Sequence, residues 1–148
     1  MKVGLLYDST TGEILNVIRA SSISLLELQA SSPVSKILIP PDNFNIAGIN
    51  PELLDKEQWL IKNDRPVRKV IAEISSDRNT IISNGIDSCI IIVSNLDGPQ
   101  IVDISGDKIE VSPGDNTISM ASEVPRTFKV SLEYNLTCWA APIEITAT

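Results

Sequence analysis

The chain has no histidine, and aromatic residues fill only 4% of its 148 positions. Without histidine there is no side chain whose ordinary pKa lies near neutrality, no Ser-His-Asp or Cys-His arrangement, and no commonest metal ligand. The two cysteines, Cys89 and Cys138, do not combine with the scattered carboxylates into the spacing of a common zinc site. Neither stands beside a cation in sequence that would hold a thiolate. No G-x-G-x-x-G occurs, and no glycine run is followed by Lys-Ser/Thr, so nucleotide phosphates have no loop to cradle them. No apolar run approaches the ~18 residues needed to span a bilayer, and the stretch after Lys2 is too short for a secretion signal. These absences set the expectations of no enzyme activity, no cofactor, no metal, no membrane partner and synthesis in a cytoplasm. In that reducing setting Cys89 and Cys138 are expected as small buried hydrophobes, with a disulfide between them as the alternative that parity allows.

Positive charge is also scarce. The formal net charge is -7, and phosphate backbones are bound by clustered Lys and Arg, so no nucleic-acid partner is expected. Arg65, Arg68 and Lys69 form the one basic cluster, which reads as the solvated flank of a strand. Acids are plentiful, and a glycosidase needs only two of them. Most fall in turns or on polar strand faces, however, where solvation explains them. Asp97, Asp103, Asp107 and Asp115 lie in loops that could gather oxygen ligands for calcium. None has the D-x-D-x-D-G spacing of a recognised loop, and Asp beside Gly is ordinary turn chemistry.

What the chain does have is aliphatic residues. Hydrophobic types make up 43% of it, so a core must be built from Ile, Val and Leu, which suits strands. A single chain of this length buries roughly two thirds of its unfolded surface and can do so without metals or disulfides. Phe128 to Tyr134 alternates apolar and polar residues without a break, the signature of a half-buried strand. Similar runs are expected near Val67 to Ile74, Thr80 to Ser83, Ser88 to Val93, Gln100 to Ile104, Lys108 to Val111, Asn116 to Met120 and Thr137 to Thr146. Turn residues separate them at intervals of roughly 8–12 residues, which suggests a Greek-key sandwich. Ile90-Ile91-Ile92-Val93 is apolar on both faces, so a central strand is expected there, covered on both sides with the N-terminal part or another subunit as the cover.

Before Arg65 the pattern is less regular. Val3 to Tyr7 and Glu13 to Arg19 read as a hairpin around Asp8-Ser9-Thr10-Thr11-Gly12, with Gly12 supplying a positive φ. Ser21 or Ser22 can cap a short helix from Ile23 to Gln29. Ser35 to Ile39 reads as a strand ended by Pro40-Pro41, and Asn50-Pro51-Glu52 as a single helical turn. Gln58 to Lys62 pairs with a following strand around the polar turn Asn63-Asp64-Arg65-Pro66. The expected fold is mainly β. Residues 1–66 form a hairpin-plus-short-helix docking part, and residues 67–148 an immunoglobulin-like β-sandwich. Tyr7, Trp59, Tyr134 and Trp139 are the candidate interface anchors, since large aromatics dominate binding energy, with core packing as the alternative for each.

Several short segments together resemble small tailed-bacteriophage proteins found among tail, baseplate and fibre components. Tyr7-Asp8 with Thr11-Gly12-Glu13-Ile14 is similar to their "YD..TG.I" opening. Trp59 to Val67 looks like a degenerate "YV.dG..v..P" segment, with Trp59 and Asn63-Asp64 in place of Tyr and Asp-Gly. Ile82-Ser83-Asn84-Gly85-Ile86-Asp87-Ser88 resembles the "isanG.Ds" start of an immunoglobulin-like module. Val111 to Gly114 and Tyr134 to Ala147 resemble its later "v..G" and closing "y....eitA" strands. The resemblance implies a non-enzymatic virion structural protein, a tail, neck or fibre adaptor. It would contact other virion proteins as a homo-oligomer within a symmetric assembly. A capsid cement or decoration protein, a host-surface carbohydrate-binding module and a small hydrolase are the alternatives.

Overall fold

The computed structural model describes residues 2–30, 33–39 and 55–148, which divide into two compact units, Met1–Lys69 and Val70–Thr148. The Asn50-Pro51-Glu52 turn and the two prolines at 40 and 41 lie outside the described residues.

In the first unit, β1 (Lys2–Asp8) is the centre of a three-stranded antiparallel sheet between β2 (Ile14–Ala20) and β3 (Ser35–Leu38). The expected hairpin forms, and Asp8 closes it. Its carboxylate accepts the Thr10 and Thr11 N–H groups at 2.7 and 3.2 Å, an Asx turn that substitutes for missing ladder bonds. Gly12 has φ +80°, and a Cβ built there would lie 2.2 Å from the Ile61 carbonyl oxygen. Only glycine satisfies both demands. The short helix α1 (Ile23–Glu27) starts at Ser22, whose hydroxyl accepts the Leu25 N–H. It buries Leu26 against Gly4, where no side chain intervenes.

A second hairpin joins β4 (Trp59–Lys62) to β5 (Arg65–Arg68). Asn63 and Asp64 both have positive φ, 52° and 57°, as a two-residue primed turn requires. The turn is therefore shorter than expected, and Pro66 sits inside β5 opposite Ile61. Among the described residues β5 pairs only with β4, so the missing proline donor costs nothing on its other side. Leu5, Tyr7, Ile14, Trp59 and Ile61 form this unit's buried cluster.

The run expected as one strand from Val67 to Ile74 is split. Its start belongs to β5, and the rest forms β6 (Val70–Ile71) and β7 (Glu73–Ser76) in the second unit. That unit continues with β8 (Thr80–Ile81), β9 (Ser88–Ser94), β10 (Gln100–Ile104), β11 (Asp107–Val111), β12 (Thr117–Ala121), β13 (Arg126–Leu132), β14 (Cys138–Trp139) and β15 (Ile143–Ala147). The expected closing strand from Thr137 to Thr146 is interrupted at Ala140-Ala141-Pro142, because proline cannot continue the ladder.

The strands form a β-sandwich. One sheet has the order β11-β10-β13-β15-β8 and the other β12-β9-β7. The leading segment first runs parallel to β14, then crosses to pair antiparallel with β9, and returns parallel to β15. β9 and β10 lie in opposite sheets, and β11 and β12 likewise, so the chain crosses between the sheets twice along this stretch. Between the sheets lies an aliphatic core in which Ile91, Val93, Val102, Val130 and Ile145 are fully buried. Cys89 joins that core, Cys138 is also buried, and both are free thiols rather than a disulfide.

The expected central strand forms as β9, between β12 and β7, but within the single chain, among the described residues, only one of its faces is covered. β9 alternates strictly, with Cys89, Ile91 and Val93 inward while Ile90 and Ile92 stay 42% and 43% exposed. Four consecutive aliphatics therefore mark one buried face and one open one.

Candidate functional site

The four aromatic candidates separate by burial. Tyr7 and Trp59 are core residues of the first unit, 6% and 4% exposed, which corrects their reading as interface anchors. The Tyr7 hydroxyl donates to Asp64 Oδ1 at 3.2 Å. Burial, with the bond to and charge of Asp64, raises its pKa. Arg68 lies 5.8 Å from the centre of the Trp59 ring and donates to Gln58 Oε1, and Lys69 is buried. The expected solvated basic flank is thus partly a packing device. Tyr134 is half exposed, and Trp139 is partly buried in the second unit.

Trp139 lines a pocket of about 380 Å³ with Ile71, Ala72, Ile74, Ala141 and Ile143, and with Glu73 and Asn95 as its polar members. The pocket opens where the leading segment leaves β14 to join β9. Ala72 N–H still donates to the Trp139 carbonyl at 2.8 Å, and Thr146 N–H to the Asn79 carbonyl. Between those two bonds the sandwich edge is unlaced. The pocket is at the small end of ligand sites. Its walls suit an apolar side chain, with one carboxylate beside it for a cation or donor.

A second feature is a difference between the two outer faces of the sandwich. On the five-stranded sheet, the outward positions include Asp103 paired with Lys108, and Lys129 paired with Glu144. On the three-stranded sheet they are Glu73 and Ser75 of β7, Ser88, Ile90, Ile92 and Ser94 of β9, and Thr117, Ser119 and Ala121 of β12. Glu73 is the single charge among these strand positions, but just past β7 the Asp77 carboxylate accepts the Ile90 N–H at 2.8 Å and Arg78 donates to the Ser88 carbonyl.

A third feature is the end of the sandwich that carries the Ile82 to Asp87 connection. Asn84 Oδ1 accepts the Ile86 and Asp87 N–H groups at 2.9 and 2.7 Å. Asp87 Oδ2 accepts the Ile82 N–H at 2.7 Å, while its other oxygen binds the Arg78 guanidinium. Gly85 has φ +73°, packs closely on Glu123, and donates its N–H to the Ser122 carbonyl. Asn84, Gly85 and Asp87 are therefore turn makers. They hold Ile86, 86% exposed, and the neighbouring loop's Val124 out from the surface.

The Ile82 amide and Arg78 hold the Asp87 carboxyl below the usual carboxylate range. A depressed folded pKa adds stability that is present above the unfolded value, about 3.9, and is lost as pH falls through the folded one. The Asp87→Asn variant is expected to lose less stability than the wild type between pH 6 and pH 3. Urea midpoints at the two pH values measure this, and equal losses would refute the assignment.

The acidic loop residues are also engaged locally. Asp103 Oδ1 accepts the Gly106 N–H at 2.7 Å and closes the β10–β11 turn. Among the described residues, no group of three or more His, Cys, Asp or Glu is placed to hold a metal ion. Burial, with the charge of Asp77, pushes the Cys89 thiol up, away from the reactive thiolate. No helix among the described residues is long and apolar enough to cross a membrane. Comparison of the chain with family models, curated proteins and solved structures finds no match.

The exposed aliphatic sheet face and the pocket escaped sequence reasoning for different reasons. Alternation across Ser88–Ser94 could have exposed the first, but the outward residues are as aliphatic as the inward ones. The pocket is formed by residues from Ile71 to Ile143, and no local pattern announces it.

Proposed function

We propose that the chain is a non-enzymatic structural component of a tailed-phage virion, a tail, neck or fibre adaptor that works through protein–protein contacts. The observation that carries the reading is the outer face of the β12-β9-β7 sheet, where Ile90 and Ile92 stand exposed on the central strand among few charges. Exposed aliphatic side chains gain free energy when a neighbour covers them. The opposite face sets charged residues across from one another, Asp103 opposite Lys108 and Lys129 opposite Glu144, and Lys108 pairs with Glu133, so it is suited to stay wet. Nothing in this arrangement requires a titrating group. The segments that resemble phage proteins fall on structural devices, namely the Asp8–Gly12 loop, the β4–β5 hairpin and the Asn84–Asp87 turn.

A virion component acts in many copies, so individually weak contacts add through avidity. A capsid decoration protein would use the same surface at capsid junctions. The test mixes the purified chain with particles from the lysate in which it is naturally made, followed by sedimentation. Saturable co-sedimentation with tails or tail-bearing particles is expected. Binding only to empty capsids would favour the decoration role. No association with any particle would overturn the virion reading.

A further inference from the structure

The strands at the borders of the two sandwich sheets are β11, β8, β12 and β7. An exposed border strand offers unpaired backbone groups, and proteins usually blunt it with charge, proline, a bulge or shortness. β11 carries Asp107, Lys108 and Glu110. β8 has two residues, and β7 carries Glu73. β12, Thr-Ile-Ser-Met-Ala from Thr117 to Ala121, has no charge, no proline and an unbroken register with β9. It is the undefended edge, and it borders the face that carries Ile90 and Ile92.

The direction of its free backbone groups follows from the ladder. Val93 N–H donates to the Asn116 carbonyl at 3.0 Å, so residues 116, 118 and 120 address β9. Hydrogen-bonded and non-bonded pairs alternate along an antiparallel ladder. Thr117, Ser119 and Ala121 therefore point their N–H and C=O groups away from the sheet.

We propose that β12 pairs antiparallel with β12 of a second copy of this chain, about a two-fold axis at Ser119. In that register Ser119 faces Ser119 of the second copy, and Thr117 faces Ala121. All three outward-pointing residues then find outward-pointing partners. The register is self-complementary, as a two-fold contact requires. On the outer face only small side chains meet, so the strands approach without obstruction. On the inner face Ile118 comes opposite Met120 of the second copy, and each is already 7% exposed at the core's border. The two three-stranded sheets become one of six strands, and the Ile90 and Ile92 pairs lie on one continuous face. Beyond the last ladder pair, Asp115 comes opposite Glu123 of the second copy. This like-charge contact is screened by salt, so association strengthens as ionic strength rises.

The inference deepens the reading as an assembly component by naming its partner as a second copy, and it is tested on the purified full chain without particles. Sedimentation equilibrium over a wide concentration range is expected to show a reversible dimer, tighter at high salt. Ser119→Lys places two ammonium groups opposite each other at the axis and is expected to weaken the dimer about fivefold or more. Thr127→Lys, on the other sheet's outer face, is expected to leave it unchanged. Hydrogen-bonded partners lie about 5.5 Å apart at Cα, within reach of a disulfide. Ser119→Cys is therefore expected to lock the dimer on oxidation. A monomer at every concentration would overturn the proposal. So would an oligomer that Ser119→Lys leaves intact and Ser119→Cys fails to lock. Failure here would leave the particle-binding test untouched, and failure of that test would leave a measured dimer standing.

Discussion

Replacing Val130 with aspartate is expected to destabilise the second unit by roughly 3–5 kcal/mol, the cost of a buried charge without a partner. Val130 is fully buried and pairs with Ile104 on one side and Ile143 on the other. Around it the core is aliphatic, with Ile91, Val93, Val102 and Ile145 among its members. No donor there could satisfy a carboxylate, so the residue would either ionise at great cost or enter protonated and still lack a partner. The neighbouring change tells the faces apart. Lys129 is exposed and lies opposite Glu144, so Lys129→Asp exchanges a favourable cross-strand pair for an unfavourable one and costs less than about 1 kcal/mol. Urea unfolding followed through Trp139 fluorescence in a Trp59→Phe background measures both. Equal midpoints for the two variants would refute the assignment of inward and outward faces.

Gly12→Ala is expected to destabilise the first unit by about 3 kcal/mol or more. Two independent costs combine at this position. An alanine held at φ +80° sits in the left-handed region, which costs roughly 1–2 kcal/mol. Its Cβ would also fall 2.2 Å from the Ile61 carbonyl oxygen, so either the loop or β4 must move. That movement would break the 2.8 Å bond from Ile61 N–H to the Gly12 carbonyl, which ties the second hairpin to the first loop. Ile61 and Trp59 would be displaced from the cluster they share with Leu5, Tyr7 and Ile14. Trp59 fluorescence in a Trp139→Phe background reports the loss. An unchanged midpoint would mean that the loop tolerates a side chain and that the contact between the hairpins is not structural.

Much of the fold was legible because it is written in local alternation. Phe128 to Leu132 declares its buried face residue by residue, and the structure places it so, whereas Gln100–Ile104 and Asp107–Val111 are strands as expected but leave Ile101 and Ile109 exposed. The loop that ends in Gly12 and the Ser22 cap were legible because turn and cap chemistry is short in range. What escaped depends on contacts between distant segments. Val67 to Ile74 looks continuous, yet its two ends pair with strands far apart in sequence, β4 and β9. Pro142 was visible but outweighed by the apolar residues around it. Tyr7 and Trp59 illustrate the limit for the candidate site. A large aromatic serves a core and an interface equally well, and only the surrounding Leu5, Ile14 and Ile61 decide for the core. Ile90 and Ile92 show the converse, since an outward aliphatic reads as buried until the sheet opposite it proves absent.

The role as an assembly component is tested most directly by quantitative mass spectrometry of gradient-purified virions from the lysate in which the chain is naturally expressed. The account predicts its peptides in the particle fraction at a fixed ratio to the other structural proteins, unchanged by further purification. A chain abundant in the lysate and depleted from the particles would contradict it.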